Sequence, residues 1–84
     1  MKLIKFRGYD INPKGIQFIS KVKAIPTVTL ASDWDYGFTV QMKGGEIDFA
    51  IPTEIDSKGN HLLSKDERKD IAEAEREKLL KLLD

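Results

Sequence analysis

Phe38-Thr39-Val40-Gln41-Met42-Lys43-Gly44-Gly45-Glu46-Ile47-Asp48-Phe49-Ala50-Ile51 is the stretch that decides the fold. Apolar and polar residues alternate on both sides of the glycine pair, the period of a half-buried strand, and two glycines accept the positive φ angles of a two-residue hairpin loop. With Gly44-Gly45 as the loop, Lys43 opposes Glu46, while Met42 faces Ile47, Val40 faces Phe49 and Phe38 faces Ile51 on one side. Gln41 and Asp48 then meet on the other side. The expectation is an antiparallel hairpin whose apolar face needs a cover.

Upstream, Thr27-Val28-Thr29-Leu30 alternates as a further strand, and Pro26 before it suits a strand start because it has no amide to donate. Farther upstream, Asn12-Pro13-Lys14-Gly15 has the chemistry of a type I turn closed by a glycine bulge. A three-residue loop there makes Asn12 oppose Ile16, Phe6 face Val22 and Ile4 face Ala24, which gathers the apolar residues on one face. The same register sets Lys5 opposite Lys23 and Arg7 opposite Lys21 on the other face. These four cations form a candidate basic binding patch.

Downstream, Pro52 and the turn-like Asp56-Ser57-Lys58-Gly59-Asn60 predict a surface connector. Ser64-Lys65-Asp66-Glu67 reads as a capping box, although Arg68 stands where the apolar partner of a hydrophobic staple would sit. From there Ile71, Ala72, Leu79, Leu82 and Leu83 recur at helical spacing without an intervening Gly or Pro.

The expected organisation is a single domain over 1–84, with a β-rich part over 2–51, a polar connector over 52–63 and an amphipathic helix over 64–84. Its class is α+β: a small antiparallel β-meander of four or five strands with a single C-terminal α-helix packed on its apolar face. The expected core is Ile4, Phe6, Ile16, Phe18, Val22, Val28, Leu30, Phe38, Val40, Met42, Ile47, Phe49, Ile51, Ile71, Leu79, Leu82 and Leu83.

Composition narrows the chemistry. The chain has 84 residues, 14 Lys+Arg against 14 Asp+Glu, and no Cys, so neither a disulfide framework nor a thiolate metal site exists. No apolar run is long enough for a membrane span, and the charges of Met1-Lys2-Leu3-Ile4-Lys5-Phe6-Arg7 stand where a signal peptide would be apolar. A cytoplasmic protein without membrane partners is expected. His61 is the only imidazole, no nucleophile-elbow or phosphate-binding glycine motif is present, and Asp33, Asp35 and Asp56 lack the spacing of a calcium loop. The reading assigns no catalytic residue, cofactor or metal.

Two features remain for binding. Trp34 and Tyr36 are candidate contact aromatics, since exposed Trp and Tyr are frequent hot spots. Strand parity argues the other way, because Trp34, Tyr36, Phe38, Val40 and Met42 would all turn toward the helix, making core packing the simpler account. The second feature is charge segregation: residues 1–23 carry six basic side chains against Asp10, a local charge of +5 that the rest of the chain balances. The leading expectation is therefore a small non-catalytic binding or accessory protein that acts through contacts with another protein or with itself. One alternative is a nucleic-acid-binding accessory protein using Lys5, Arg7, Lys21 and Lys23, although Glu73, Glu75 and Glu77 make the helix unfriendly to phosphate. The other is a structural homo-oligomer subunit.

Overall fold

The computed structural model describes residues 2–26 and 34–84. Its centre is the predicted long hairpin, β5 (Asp35–Met42) and β6 (Gly45–Ile51), reached after four shorter strands, β1 (Ile4–Phe6), β2 (Tyr9–Ile11), β3 (Ile16–Ile19) and β4 (Lys23–Ile25). One helix, α1 (Lys65–Leu83), ends the chain, so the fold is α+β with two antiparallel sheets and a single C-terminal helix. The expected strand over Thr27–Leu30, with its core residues Val28 and Leu30, lies outside the described residues.

The register of the long hairpin differs from the expectation by one step of the turn. Met42 pairs Gly45, Val40 pairs Ile47, Phe38 pairs Phe49 and Tyr36 pairs Ile51, so the loop is Lys43-Gly44 and the positive φ (149°) falls on Gly45. Because sliding the loop by one residue shifts each pairing by two, the apolar set stays on one face, and Thr39 meets Asp48 on the other with a 2.6 Å hydrogen bond from Oγ1 to Oδ1. The hydrophobic pattern fixed the face, while the glycine pair left the turn free to slide by one residue.

The first hairpin is elsewhere than expected. β1 pairs β2 as a separate two-stranded sheet, with Ile4 opposite Ile11, Lys5 opposite Asp10 and Phe6 opposite Tyr9. The chain reverses at Arg7-Gly8, whose φ angles of 46° and 85° belong to a primed turn. Asn12-Pro13-Lys14-Gly15 does form a turn, with the Asn12 side chain accepting from the Lys14 amide at 3.0 Å, but it is a 3-10 corner leading from one sheet to the other. The residues after it pair with β5: Ile16 lies opposite Met42, Ile19 opposite Val40 and Ala24 opposite Tyr36. β3 and β4 thus run end to end along the edge of β5 that β6 leaves open.

A register shift between Ile16 and Phe18 corrects the core. It keeps Ile16 and Ile19 packed against the apolar face but turns Phe18, opposite Gln41, away from it and leaves it 57% exposed. A second irregularity lies between β3 and β4. There the Ser20 amide donates to the Thr39 carbonyl, the Ser20 hydroxyl accepts from the Thr39 amide, and the Ser20 carbonyl accepts from Arg76 Nε of the helix at 2.8 Å.

The apolar face of the larger sheet is roofed by the β1–β2 hairpin and by α1. Phe6 meets Phe49 edge-on at 5.1 Å between ring centres, Tyr9 meets the same ring at 5.3 Å, and Phe38 lies 5.5 Å from Phe49. Ile11, Val40, Ile51, Ala72 and Leu79 complete the buried cluster. The helix starts at the predicted capping box, with Glu67 N donating to Ser64 Oγ at 3.1 Å and Ser64 N donating to Glu67 Oε1 at 3.3 Å. Its buried line is Arg68, Ala72 and Leu79, with Leu83 packed at the end. Ile71 and Leu82, expected in the core, fall a quarter turn from that line and are exposed.

Gly37 permits a close approach of the two strands. A Cβ there would overlap the Phe49 carbonyl oxygen and stand 3.0 Å from Ala50 Cα, so only glycine fits between β5 and β6 at this point.

Candidate protein-contact site

Trp34 comes one residue before β5, where the alternation of the strand no longer dictates its direction. Tyr36, inside the strand, follows parity and packs on the apolar face, whereas Trp34 is 52% exposed. The parity expectation therefore holds for one aromatic and fails for the other. The reason is the boundary of the strand: pleating sets a side chain's face only where ladder bonds hold the backbone on both sides.

Arg68 joins the two aromatics. Its side chain is buried, its Nη1 donates to the Trp34 carbonyl at 3.3 Å, and its guanidinium lies 5.3 Å from the centre of the Tyr36 ring. Lys69 brings its ammonium to the same distance from the same ring. Cations at this range are attracted by the ring quadrupole, by about 0.5–1 kcal/mol at an exposed site and more where water is excluded. The first turns of α1 thus hold the main chain at Trp34, a residue about half exposed. Asp35, between the aromatics, is buried and pairs in the ladder with Ile25.

Arg68 is the site residue that sequence reasoning placed without giving it a role. Its signal was present: it stands four residues before Ala72 and eleven before Leu79, on the buried stripe, at the position of the missing staple partner. A long side chain that packs its stem and stacks its planar head on an aromatic fills that position as an apolar residue would.

The four expected patch residues do not come together in the expected way. Lys5 lies opposite Asp10, and Arg7 turns to the helix, where its Nη1 stands 3.4 Å from Glu75 Oε2. Lys21 is in the break between β3 and β4, and Lys23 is opposite Gly37 on the edge of the other sheet. The patch required one long hairpin over 4–24, and the reversal at Arg7-Gly8 divides that segment between two sheets.

Glu75 also accepts from Lys78 Nζ at 3.0 Å, and this bond with the Lys78 charge, followed by Arg7, holds its carboxyl below the ordinary value of 4.5. In the connector, Asp56 Oδ1 accepts from the amides of Asn60 and Lys58 at 2.9 and 2.8 Å, which lowers its pKa as well. Ile55 pairs with His61 across this loop, and Gly59 takes a φ of 84°. Asp56 is thereby occupied in closing a turn. Among the described residues, no group of three or more His, Cys, Asp or Glu side chains is placed to hold a metal ion, and no helix is long and apolar enough to cross a membrane.

Compared with protein-family models, with curated proteins and with solved structures, the chain matches none.

Proposed function

We propose that this chain is a non-catalytic binding protein that acts through protein contacts, with Trp34 as the anchor of its contact surface. The observation that supports this reading is a half-exposed tryptophan whose main chain is held by a buried arginine. A residue whose main chain is held before binding has less freedom to lose when a partner covers it, a property that favours an interface hot spot. Lys69, held against the Tyr36 ring, adds a cation to the surface. The partner's matching chemistry is an apolar pocket for the indole beside a carboxylate for Lys69.

The test is capture from a native lysate at low salt with the wild-type chain and with Trp34→Ala. A stoichiometric protein partner is expected with the wild type, and Trp34→Ala is expected to weaken it about 30-fold, the effect of a hot spot worth about 2 kcal/mol. A partner held equally well by both proteins overturns the reading. So does turnover of a small molecule by the pure chain with no partner recovered.

A further inference from the structure

The outer flank of α1 carries a self-complementary pattern that neither the core nor the Trp34 corner uses. Ile71, Lys78 and Leu82 fall within an arc of about 40° around the helix, a line about a quarter turn from the buried stripe. Ile71 is 36% exposed and Leu82 is 50% exposed. Beside this line on the solvent side stand Glu67 and Asp70 toward the N-terminal end, the small Ala74 in the middle, and Lys81 toward the C-terminal end. Leu82 also forms one wall of a groove of about 490 Å³, whose other wall is β1, with the exposed Leu3 and with Lys2 and Lys5.

We infer that this flank is the interface of a two-fold homodimer in which the helices of two copies pair antiparallel. An antiparallel pairing brings Ile71 of each copy to Leu82 of the other, so both exposed apolar residues are covered at once, twice by symmetry. Asp70 of each copy then lies beside Lys81 of the other. Glu67 projects past the end of the facing helix toward the groove and its Lys2 and Lys5. A parallel pairing would instead set Asp70 against Asp70 and Lys81 against Lys81, so charge selects the orientation. Ala74, near the middle of the pair, lets the two backbones approach. The surface differs from the Trp34 corner, and the inference does not rest on the function proposed above.

Sedimentation equilibrium of the full chain reads the outcome. The expected mass is twice 9.5 kDa, with a dissociation constant of about 1–100 µM. The double variant Ile71→Glu with Leu82→Glu is expected to return the mass to 9.5 kDa while far-UV circular dichroism stays the same, because both residues are exposed in the monomer. Asp70→Lys alone and Lys81→Glu alone are each expected to weaken the dimer about 10-fold, and the two together on one chain to restore it, since every crossed pair is again opposite in charge. A mass that stays at 9.5 kDa up to about 0.5 mM overturns the inference. A dimer indifferent to the Glu pair, or a charge-swapped chain no tighter than its single variants, overturns it as well.

Discussion

The β1–β2 and β5–β6 hairpins both reverse through two-residue loops, yet they hold their shape by different means. The β5–β6 hairpin has seven residue pairs, a further edge of strands beside β5, and an apolar face continuous from Tyr36 to Met42. The β1–β2 hairpin has three pairs and no third strand among the described residues. A ribbon that short is not stable by itself in water. It is held from outside, by Phe6 and Tyr9 against the Phe49 ring and by Arg7 against Glu75. One hairpin is specified by its own alternation and the other by what it lands on.

That contrast breaks most sharply at Gly37. Gly37→Ala drives a methyl into the Phe49 carbonyl, and neither strand can move aside without losing its ladder. A loss of about 3 kcal/mol or more is expected, against a total of about 4–13 kcal/mol at the usual stability per residue. Urea unfolding followed by circular dichroism measures it. A loss below about 1 kcal/mol means the sheet absorbs the methyl and the close approach is not glycine-dependent.

Gly8 tests the short hairpin. Nothing stands within 4 Å of a Cβ added there, so Gly8→Ala meets only the cost of its φ of 85°. This is about 1–2 kcal/mol. Amide exchange is expected to rise in β1 and β2 before it rises in β5 and β6, because the short ribbon opens without the long one. Equal acceleration in both would join them into one cooperative unit.

The smallest effect is at Glu75, the anchor for Arg7. Glu75→Gln removes a partly screened ion pair worth a few tenths to about 1 kcal/mol near neutral pH. The carboxyl's folded-state pKa is depressed below 4.5, so its contribution is fully present above that value and disappears as pH falls through the lower, folded-state value. The stability gap between wild type and Glu75→Gln is therefore expected to narrow as the pH is lowered from neutrality to below 4.5. A gap that widens over this range contradicts the pairing.

The same two hairpins show how far the sequence could be read. The long hairpin was legible because alternation over fourteen residues survives a one-step error in the turn; the apolar face was right even though the loop proved to be Lys43-Gly44. The helix and its Ser64–Glu67 box were legible for a similar reason, since each rests on contacts within a few residues. The short hairpin was hidden by its turn. Arginine at a φ of 46° gives no sequence signal, whereas Asn12-Pro13-Lys14-Gly15 gives a strong one that the structure uses for a corner. Turn chemistry says that the chain bends, and only the surfaces on either side decide whether it returns on itself.

The candidate site was legible in part for related reasons. Trp34 and Tyr36 stood out by residue type, but the division between them depends on β5 beginning at Asp35, a boundary that parity does not give. The role of Arg68 depends on which helical line faces the sheet. The basic patch inherited its geometry from the misplaced hairpin, and Arg7 is engaged with Glu75 instead.

Trp34 is the chain's only tryptophan, so its emission reports on the proposed contact without a label. The most direct test is acrylamide quenching of that emission during titration with the captured partner. The account predicts a blue shift and a quenching constant that falls several-fold at saturation, as the half-exposed tryptophan is covered. Saturation with no change in quenching would place the partner elsewhere and contradict the central claim.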